Sequence, residues 1–197
     1  MGSIRNFNPV KLFVGILVSN ENLIAGVETE LSATFGAVDY RSPVIPFTFT
    51  DYYRHETGDQ ILRVFLSFER LIEADRLPEI KHFTNELEKR FAATETTVPR
   101  PVNLDPGYIE HAKVILASTK NFYHRMYLGN GIFGEVTMHF RNGAYEFFPW
   151  TYPDYQSQHY QKFFLDMRAI YRPQLRAMCL LRESPTVGDK SRKKTDD

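Results

Sequence analysis

Hydrophobic and polar positions along the first third of the chain predict a strand, a helix and two further strands. The run KLFVGILV, residues 11–18, is apolar at both alternating sets of positions, which is typical of a central strand covered on each face. Apolar residues then recur every four positions up to Gly36, which predicts a helix that this glycine ends. Residues 38–50 have β-type side chains but contain two prolines, so they predict an edge strand or a bulged one. The apolar helix positions are Leu23, Val27, Leu31 and Phe35.

The next two elements each have one polar face. Apolar and polar side chains alternate through residues 60–69, which predicts a half-exposed strand with Arg63 and Ser67 on its solvent side. From Pro78 to Ala92 an apolar stripe with charges opposite it predicts a second helix. The order strand, helix, strand, strand, helix is that of the split βαβ unit that begins a ferredoxin-like fold.

The second half of the chain is rich in β-type residues. In residues 102–119 the Asp105–Pro106 pair suits a helix N-terminus, so we expect a short helix running into a strand. Three β-rich runs follow, separated by GNG at 129–131 and RNG at 141–143, and Asn-Gly between such runs predicts tight hairpins. An amphipathic helix is expected from about Tyr155, kinked or interrupted at Pro173.

Together these elements predict an α+β fold. We expect a mostly antiparallel sheet with helices on one face, a ferredoxin-like βαββα start, then a β-meander and a C-terminal helix. Residues 1–182 are expected to form a single domain, because a chain of this length with 43% hydrophobic residues can bury a substantial core. Residues 183–197 are polar and lack aromatic side chains, which predicts a disordered tail.

Cysteine content and charge narrow the functional classes. The single cysteine, Cys179, cannot form an internal disulfide, which favours a reducing, cytoplasmic location. No apolar run approaches the roughly 20 residues of a membrane span, so no membrane role is expected. Residues 111–182 carry nine Lys and Arg against four Asp and Glu, whereas residues 1–110 carry 11 against 16. This asymmetry indicates either a basic face for an anion or two halves that complement each other when packed.

The stretch GNGIFGEV, residues 129–136, matches the GxGxxGxV pattern of a protein-kinase phosphate loop. The other kinase motifs are missing, since the next lysine is Lys162 and no catalytic-loop or DFG sequence follows. A hairpin turn explains the glycines better, with Gly134 as a bulge or a point of close approach. The GxxxxGK[ST] pattern of a P-loop nucleotidase is also absent.

Polar and aromatic residues crowd together in three segments, 47–58, 102–127 and 149–155. Their motifs resemble a bacterial and archaeal family known as a domain of unknown function (DUF4416), some of whose members carry the label GTP-binding protein. The resemblance covers nearly the whole chain apart from the tail, and it implies family membership without an established activity. The matching strings are PVKLFVGIL (9–17), TDYY (50–53) with Glu56 and Gly58, NLDPGY (103–108), STKNFYHRMYL (118–128) and WTYPDY (150–155).

Three potential cations lie within six positions of the second segment. Lys120 and Arg125 could hold a phosphate, with His124 as a general acid or base. If residues 121–128 form a strand, His124 and Arg125 point to opposite faces and need a bend to serve one site. The alternative is that Arg125 pairs with a carboxylate and His124 is a satisfied surface histidine.

Carboxylates and rings in the same segments complete the candidate site. Carboxylates can act as bases or bind Mg²⁺, which makes Mg²⁺ a candidate cofactor, although they equally suit helix caps and turns. Rings can stack a nucleotide base, or they can close the rim of a core. The candidate catalytic residues are Asp51, Glu56 and His124. The candidate ligand-binding residues are Tyr52, Asp105, Tyr108, Thr119, Lys120, Asn121, Arg125, Trp150, Tyr152 and Asp154.

Two functions remain open on this evidence. One is a cytoplasmic ligand-binding protein or enzyme for an anionic, nucleotide-like or phosphorylated ligand, without a P-loop. The other is a non-catalytic module that binds RNA or a protein partner through the aromatic and basic second half.

Overall fold

A computed structural model of the chain describes residues 7–49, 54–58, 60–95 and 97–183. The candidates Asp51 and Tyr52 and residues 184–197 of the predicted tail lie outside these described residues. The strands are β1 (Val10–Val18), β2 (Val38–Arg41), β3 (Ile45–Pro46), β4 (Leu62–Ile72), β5 (Val102–Ile109), β6 (Lys113–Ser118), β7 (Arg125–Gly129), β8 (Ile132–Arg141) and β9 (Ala144–Phe147). The helices are α1 (Leu23–Phe35), the single turn α2 (Arg54–Thr57), α3 (Leu77–Thr94) and α4 (Gln158–Glu183), with 3-10 turns at Ala74–Arg76 and Pro153–Gln156.

The described strands form one sheet in the order β2-β4-β1-β5-β6-β8-β7. β3 also pairs with β4, and β9 also pairs with β8, and each of these pairings is antiparallel. The predicted α+β class is therefore confirmed. The ferredoxin-like start is confirmed too, because β1 and β2 flank β4, as a split βαβ unit requires.

Helices cover both faces of the sheet, and the expectation that they share one face is wrong for α4. Alternate residues of β1, among them Leu12 and Val14, pack with α1 and α3 in one core cluster. Phe13 lies between them in sequence and packs with Phe163 and Phe164 of α4 in another cluster. Since neighbouring residues of a strand face opposite sides, α4 covers the second face. The apolar side of α4 therefore buries the second face of β1.

Lys11 shows how α4 is fastened to the sheet. Its side chain is fully buried, and its ammonium donates to Asp39 Oδ2 at 2.5 Å, the Phe68 carbonyl at 2.9 Å and Gln174 Oε1 at 3.0 Å. Burial lowers the Lys11 pKa, and the carboxylate of Asp39 opposes that shift. A buried ammonium with three acceptors is a structural group that links α4 to β1, β2 and β4.

Two predicted local structures are wrong. β4 is not half-exposed, because Arg63 and Ser67 are buried and α4 covers the face that was assigned to solvent. Residues 102–109 form β5 rather than a helix, so Asp105 is not a helix cap. Pro106 lies opposite Val14 of β1, just before the described β5–β6 pairing begins at Gly107.

The predicted turns are confirmed. The hairpin residues Asn130 and Asn142 both have positive φ, at 52° and 51°, and each is followed by a glycine that also has positive φ. Gly134 is a point of close approach, since a β-carbon there would lie 2.9 Å from Leu128 Cδ1. The last helix begins at Gln158, after the 3-10 turn, and continues through Pro173.

Candidate functional site

Polar side chains gather at one end of the sheet, on the face that α4 covers. Three parts of the chain meet there: the loop from Ser118 to Arg125, the first half of β8, and residues 149–155 before α4. In the strand register Glu135 lies opposite both Leu116 and Arg125, and Leu116 belongs to the core beneath α4. Glu135 and Arg125 therefore point to the α4 side of the sheet.

Glu135 is the centre of this arrangement. Its side chain is only 1% exposed, and its Oε2 contacts Arg125 Nε at 2.7 Å and His124 Nε2 at 3.2 Å. The hydroxyl of Thr137 lies 3.4 Å from the other oxygen, Oε1. A buried carboxylate is tolerated only when it is paired and hydrogen-bonded, and here two neighbouring side chains supply that pairing.

Arg125 connects the three parts of the site. Besides its bond to Glu135, it donates from Nη1 to Ser118 Oγ at 3.1 Å and to the Lys120 carbonyl at 2.9 Å. Its Nη2 donates to the hydroxyl of Tyr152 at 2.8 Å. Desolvation is the largest single influence and would lower the Arg125 pKa, but the hydrogen bonds and charges of Glu135 and Tyr152 together outweigh it, so the pKa is raised. The guanidinium therefore stays charged and holds the loop, β8 and the 149–155 segment together.

His124 lies flat in a column of rings. Its ring is 5.1 Å from that of Trp150 and nearly parallel to it, at 8°, and Phe148 stacks on the other indole face at 4.8 Å and 3°. The indole nitrogen of Trp150 donates to the Val136 carbonyl at 2.9 Å, which fixes the column on β8. Phe122 and Tyr123 lie beside His124, and both rings are largely exposed, at 58% and 77%.

The two nitrogens of His124 differ in their surroundings. The Glu135 carboxylate accepts a hydrogen bond from His124 Nε2. The proton of the neutral imidazole is therefore assigned to Nε2, and Nδ1 carries the lone pair. Nδ1 is buried and has no hydrogen-bond partner among the described residues. The ring is thus oriented by a carboxylate on one side and presents an acceptor on the other.

A second polar group, here called the Arg63 cluster, adjoins the first and consists of Arg63, Asp105, Asp154, Tyr155 and Tyr160. Arg63 Nη1 lies 3.4 Å from Asp105 Oδ2, and Nη2 lies 3.4 Å from Asp154 Oδ2. Its Nε donates to the Tyr160 hydroxyl at 3.0 Å. Burial raises the pKa of Asp154, while the charge of Arg63 opposes that shift. Tyr152 joins the two groups, since its ring is 6.4 Å from that of Tyr155 while its hydroxyl binds Arg125.

The sequence model of the family described as "Domain of unknown function (DUF4416)" matches residues 8–171. The chain belongs to this family. No curated protein and no solved structure matches it. The family description names no activity.

The structure brings four of the predicted site residues into one group and two into the next. His124, Arg125, Trp150 and Tyr152 meet around Glu135, while Asp105 and Asp154 meet at Arg63. Thr119, Lys120 and Asn121 are exposed in the loop after β6, next to Arg125.

Two other predicted residues lie apart from these groups. Tyr108 packs against the core on the α1 and α3 side, as the alternative interpretation of a core-closing ring expects. The carboxylate of Glu56 lies 3.7 Å from Arg100, which in turn donates to Asn103, and Asn103 donates to Asp105. Glu56 is therefore linked to the Arg63 cluster through two intermediate side chains, Arg100 and Asn103.

The alternatives for His124 and Arg125 have different outcomes. Arg125 does pair with a carboxylate, as one interpretation predicts. His124 is not a surface histidine, because its side chain is only 8% exposed. His124 and Arg125 do not point to opposite faces as a continuous strand would require. The backbone turns at this point, where the Arg125 N–H donates to the Phe122 carbonyl at 3.0 Å. β7 begins only at Arg125, so both side chains reach Glu135.

Sequence reasoning missed Glu135 and Arg63, the two residues at the centres of these groups. Glu135 is the only charged residue in the run IFGEVTM, and a lone charge in such a run is a signal of a buried, paired group. Arg63 gave no comparable signal, because its alternation with apolar neighbours is the ordinary pattern of a solvent-facing side chain.

The described residues contain neither a cluster of metal-ligating side chains nor a membrane-spanning helix. Within them, no group of three or more His, Cys, Asp and Glu side chains could hold a metal ion. None of the described helices is both long and apolar enough to cross a bilayer.

Proposed function

We propose that the protein is a ligand-binding protein or enzyme for an anionic, nucleotide-like ligand, which binds at the sheet end formed by residues 118–125 and 149–155. The observation that carries this proposal is His124, held by Glu135 through Nε2 and without a partner at Nδ1 among the described residues. A histidine oriented in this way by a carboxylate can take a proton from a ligand at its other nitrogen.

A purely structural role for His124 accounts less well for this geometry. A buried polar atom without a hydrogen bond costs about 1–3 kcal/mol, and an apolar side chain would fill the ring column without that cost. A ligand that donates to Nδ1 would remove the penalty. Nδ1 would then have a hydrogen-bond partner, which the described residues of the folded chain do not provide.

The rim of the site supports a planar ligand. Phe122 and Tyr123 expose most of their rings and lie 4.9 Å apart between centroids, next to the His124 column. A base stacked on an aromatic side chain gains about 1–3 kcal/mol. The exposed Lys120 lies in the same loop and supplies positive charge for a phosphate. A cytoplasmic location remains the expectation from the single cysteine.

Thermal unfolding with GTP or ATP, each with and without Mg²⁺, tests the proposal. At about 100 times the Kd, a nucleotide should stabilise the protein by about 2.7 kcal/mol and raise Tm by roughly 5–10 °C. Lys120→Ala and Tyr123→Ala should each reduce that shift, measured against the Tm of the same variant without nucleotide. Lys89→Ala is the matched control, since this lysine is exposed on α3, on the other face of the sheet. A wild-type Tm that no nucleotide moves would contradict the proposal.

A second candidate, an RNA- or protein-interaction module, is favoured by the exposed side chains of β7. Met126, Tyr127 and Leu128 are 63%, 64% and 40% exposed, and β7 is the last strand in the sheet order. Exposed apolar side chains on an edge strand are typical of an interaction surface. Binding of single-stranded RNA that weakens steeply with salt, without any nucleotide-induced shift in Tm, would favour this function over the first.

A further inference from the structure

The Arg63 cluster, which adjoins the Glu135 group and shares residues 149–155 with the proposed site, has an incomplete set of hydrogen bonds. Both ion pairs of Arg63 are 3.4 Å long, whereas charge-assisted bonds are usually about 2.7–2.9 Å. Between described residues, the hydrogen bonds to the Asp105 side chain all reach Oδ2, from Arg63 and from Asn103 at 2.8 Å. Oδ1 of Asp105 is therefore left as an acceptor.

Tyr155 is an independent sign that the hydrogen bonding of the cluster is incomplete. Its side chain is 2% exposed, and its hydroxyl has no hydrogen-bond partner among the described residues. The ring of Tyr155 lies 5.4 Å from that of Tyr160, whose hydroxyl accepts from Arg63, and this contact places Tyr155 at the cluster. Asp105 is the most exposed member, at 28%, so the cluster opens to solvent on that side.

The chemistry of these groups selects the kind of ligand. Arg63 donates, Asp105 and Asp154 accept, and the Tyr155 hydroxyl can do both, which matches hydroxyl groups that also donate and accept. A phosphate fits poorly, since it can only accept and two carboxylates face a single guanidinium. The cluster thus differs from the rim of the proposed site, where Lys120 supplies positive charge.

We infer that Asp105, Asp154 and Tyr155 bind the neighbouring hydroxyl groups of a sugar, so that the ligand carries a ribose. This inference rests on the proposed function, because it assigns the sugar of the nucleotide-like ligand. Tyr152 contacts both the Arg63 cluster and Arg125, so the two groups are close enough for one ligand to contact both. A carboxylate that accepts hydrogen bonds from ribose hydroxyls is a recurrent device in nucleotide recognition.

Titration calorimetry of the full chain with GTP and with 2′,3′-dideoxy-GTP tests the inference. The wild type should bind GTP at least about tenfold more tightly, because the dideoxy analogue leaves buried polar groups unpaired. Asp105→Asn should reduce the ratio to below about threefold, and Tyr155→Phe should reduce it partially. Asp75→Asn, an exposed aspartate in the 74–76 turn, should leave the ratio unchanged. The wild-type comparison stands even if a variant fails to fold.

The outcomes separate this inference from the proposed function. Equal affinity for GTP and its dideoxy analogue would overturn the inference and leave the proposed nucleotide site standing. If neither nucleotide binds, methyl β-D-ribofuranoside at millimolar concentration is the deciding probe. Binding of that sugar, lost in Asp105→Asn, would support the hydroxyl site and overturn the nucleotide proposal. Absence of binding by all three probes would overturn both.

Discussion

Arg125 donates from Nε to the buried carboxylate of Glu135 at 2.7 Å, directly across the β7–β8 pair. The GNG turn sets this register, so the tight hairpin and the ion pair depend on each other. Opposite charges on facing residues stabilise a strand pair, and here the pair is also shielded from water. The Arg125–Glu135 ion pair therefore stabilises the strand pair that carries the candidate site.

Glu135→Gln should destabilise the fold. The substitution keeps the shape of the side chain but leaves Arg125 without a counter-charge, so we expect the free energy of unfolding to fall by about 2–3 kcal/mol. Urea unfolding followed by circular dichroism measures the change. Glu86→Gln is the control, since Glu86 pairs with Lys89 on an exposed surface and should change stability by less than about 0.5 kcal/mol. Similar losses in the two variants would mean that the buried pair has no special role.

The elements of the fold were predictable where one local signal dominates. The two-sided apolar run gave β1, the four-residue periodicity gave α1, and the Asn-Gly turns gave the β7–β8 and β8–β9 hairpins. The position of α4 was not predictable, because an amphipathic stripe shows that a helix packs but not on which face of the sheet. For the same reason Arg63 was predicted to face solvent. The polar positions of β4 are buried because α4 covers that face of the strand.

Sequence reasoning identified four side chains that gather around Glu135, but it did not identify Glu135 itself. The segments containing His124, Arg125 and Trp150 were identified from their polar and aromatic composition, and they do meet. Glu135 comes from a fourth segment, and only the strand register places it opposite Arg125. A register between strands depends on the whole sheet, so composition within a segment could not supply it.

Trp150 should anchor the ring column through both its ring and its nitrogen. Trp150→Phe keeps an aromatic ring but leaves the Val136 carbonyl without its donor, so we expect a loss of about 1–2 kcal/mol. Trp150→Ala also removes the stacking on His124 and Phe148 and should cost about 3–5 kcal/mol. Chemical denaturation of the two variants gives both values. Equal losses would show that the ring contributes nothing beyond its hydrogen bond.

Alkaline pH should destabilise the protein through its buried tyrosines. Burial raises the pKa of Tyr145 to about 12 from the ordinary value of 10.0. Between these values the unfolded chain releases the phenolic proton and the folded chain keeps it, so the free energy of unfolding falls as pH rises from 10 to 12. The limit for one such group is about 1.4 kcal/mol per pKa unit.

Tyr145→Phe provides the check on this pH dependence. Urea unfolding at pH 9, 10 and 11 should show a shallower decline in the variant than in the wild type, because one of the linked groups is gone. Tyr123→Phe is the control, since Tyr123 is 77% exposed and should leave the slope unchanged. Parallel slopes for the wild type and Tyr145→Phe would contradict the role assigned to burial of this side chain.

Gly107 should tolerate no side chain, because the core beneath α4 closes directly over it. A β-carbon there would lie 2.4 Å from the Ile115 carbonyl oxygen and 2.6 Å from the Phe13 ring, and the first of these is backbone that cannot yield. Gly107→Ala should therefore cost about 3 kcal/mol or more, and it should also disturb Asp105 two residues away on the same face of β5.

Gly26 gives the opposite expectation and serves as the matched control for Gly107. It lies within α1, where an added β-carbon would meet the Phe91 ring at an ordinary 3.5 Å. Alanine in a helix interior is favoured over glycine, so Gly26→Ala should raise the free energy of unfolding by about 0.5–1 kcal/mol. Thermal and urea unfolding of both variants measure the pair of changes. Stabilisation by Gly107→Ala would mean that Phe13 and β6 do not pack against β5 as closely as the structure has them, and the placement of Asp105 beside Arg63 would then need revision.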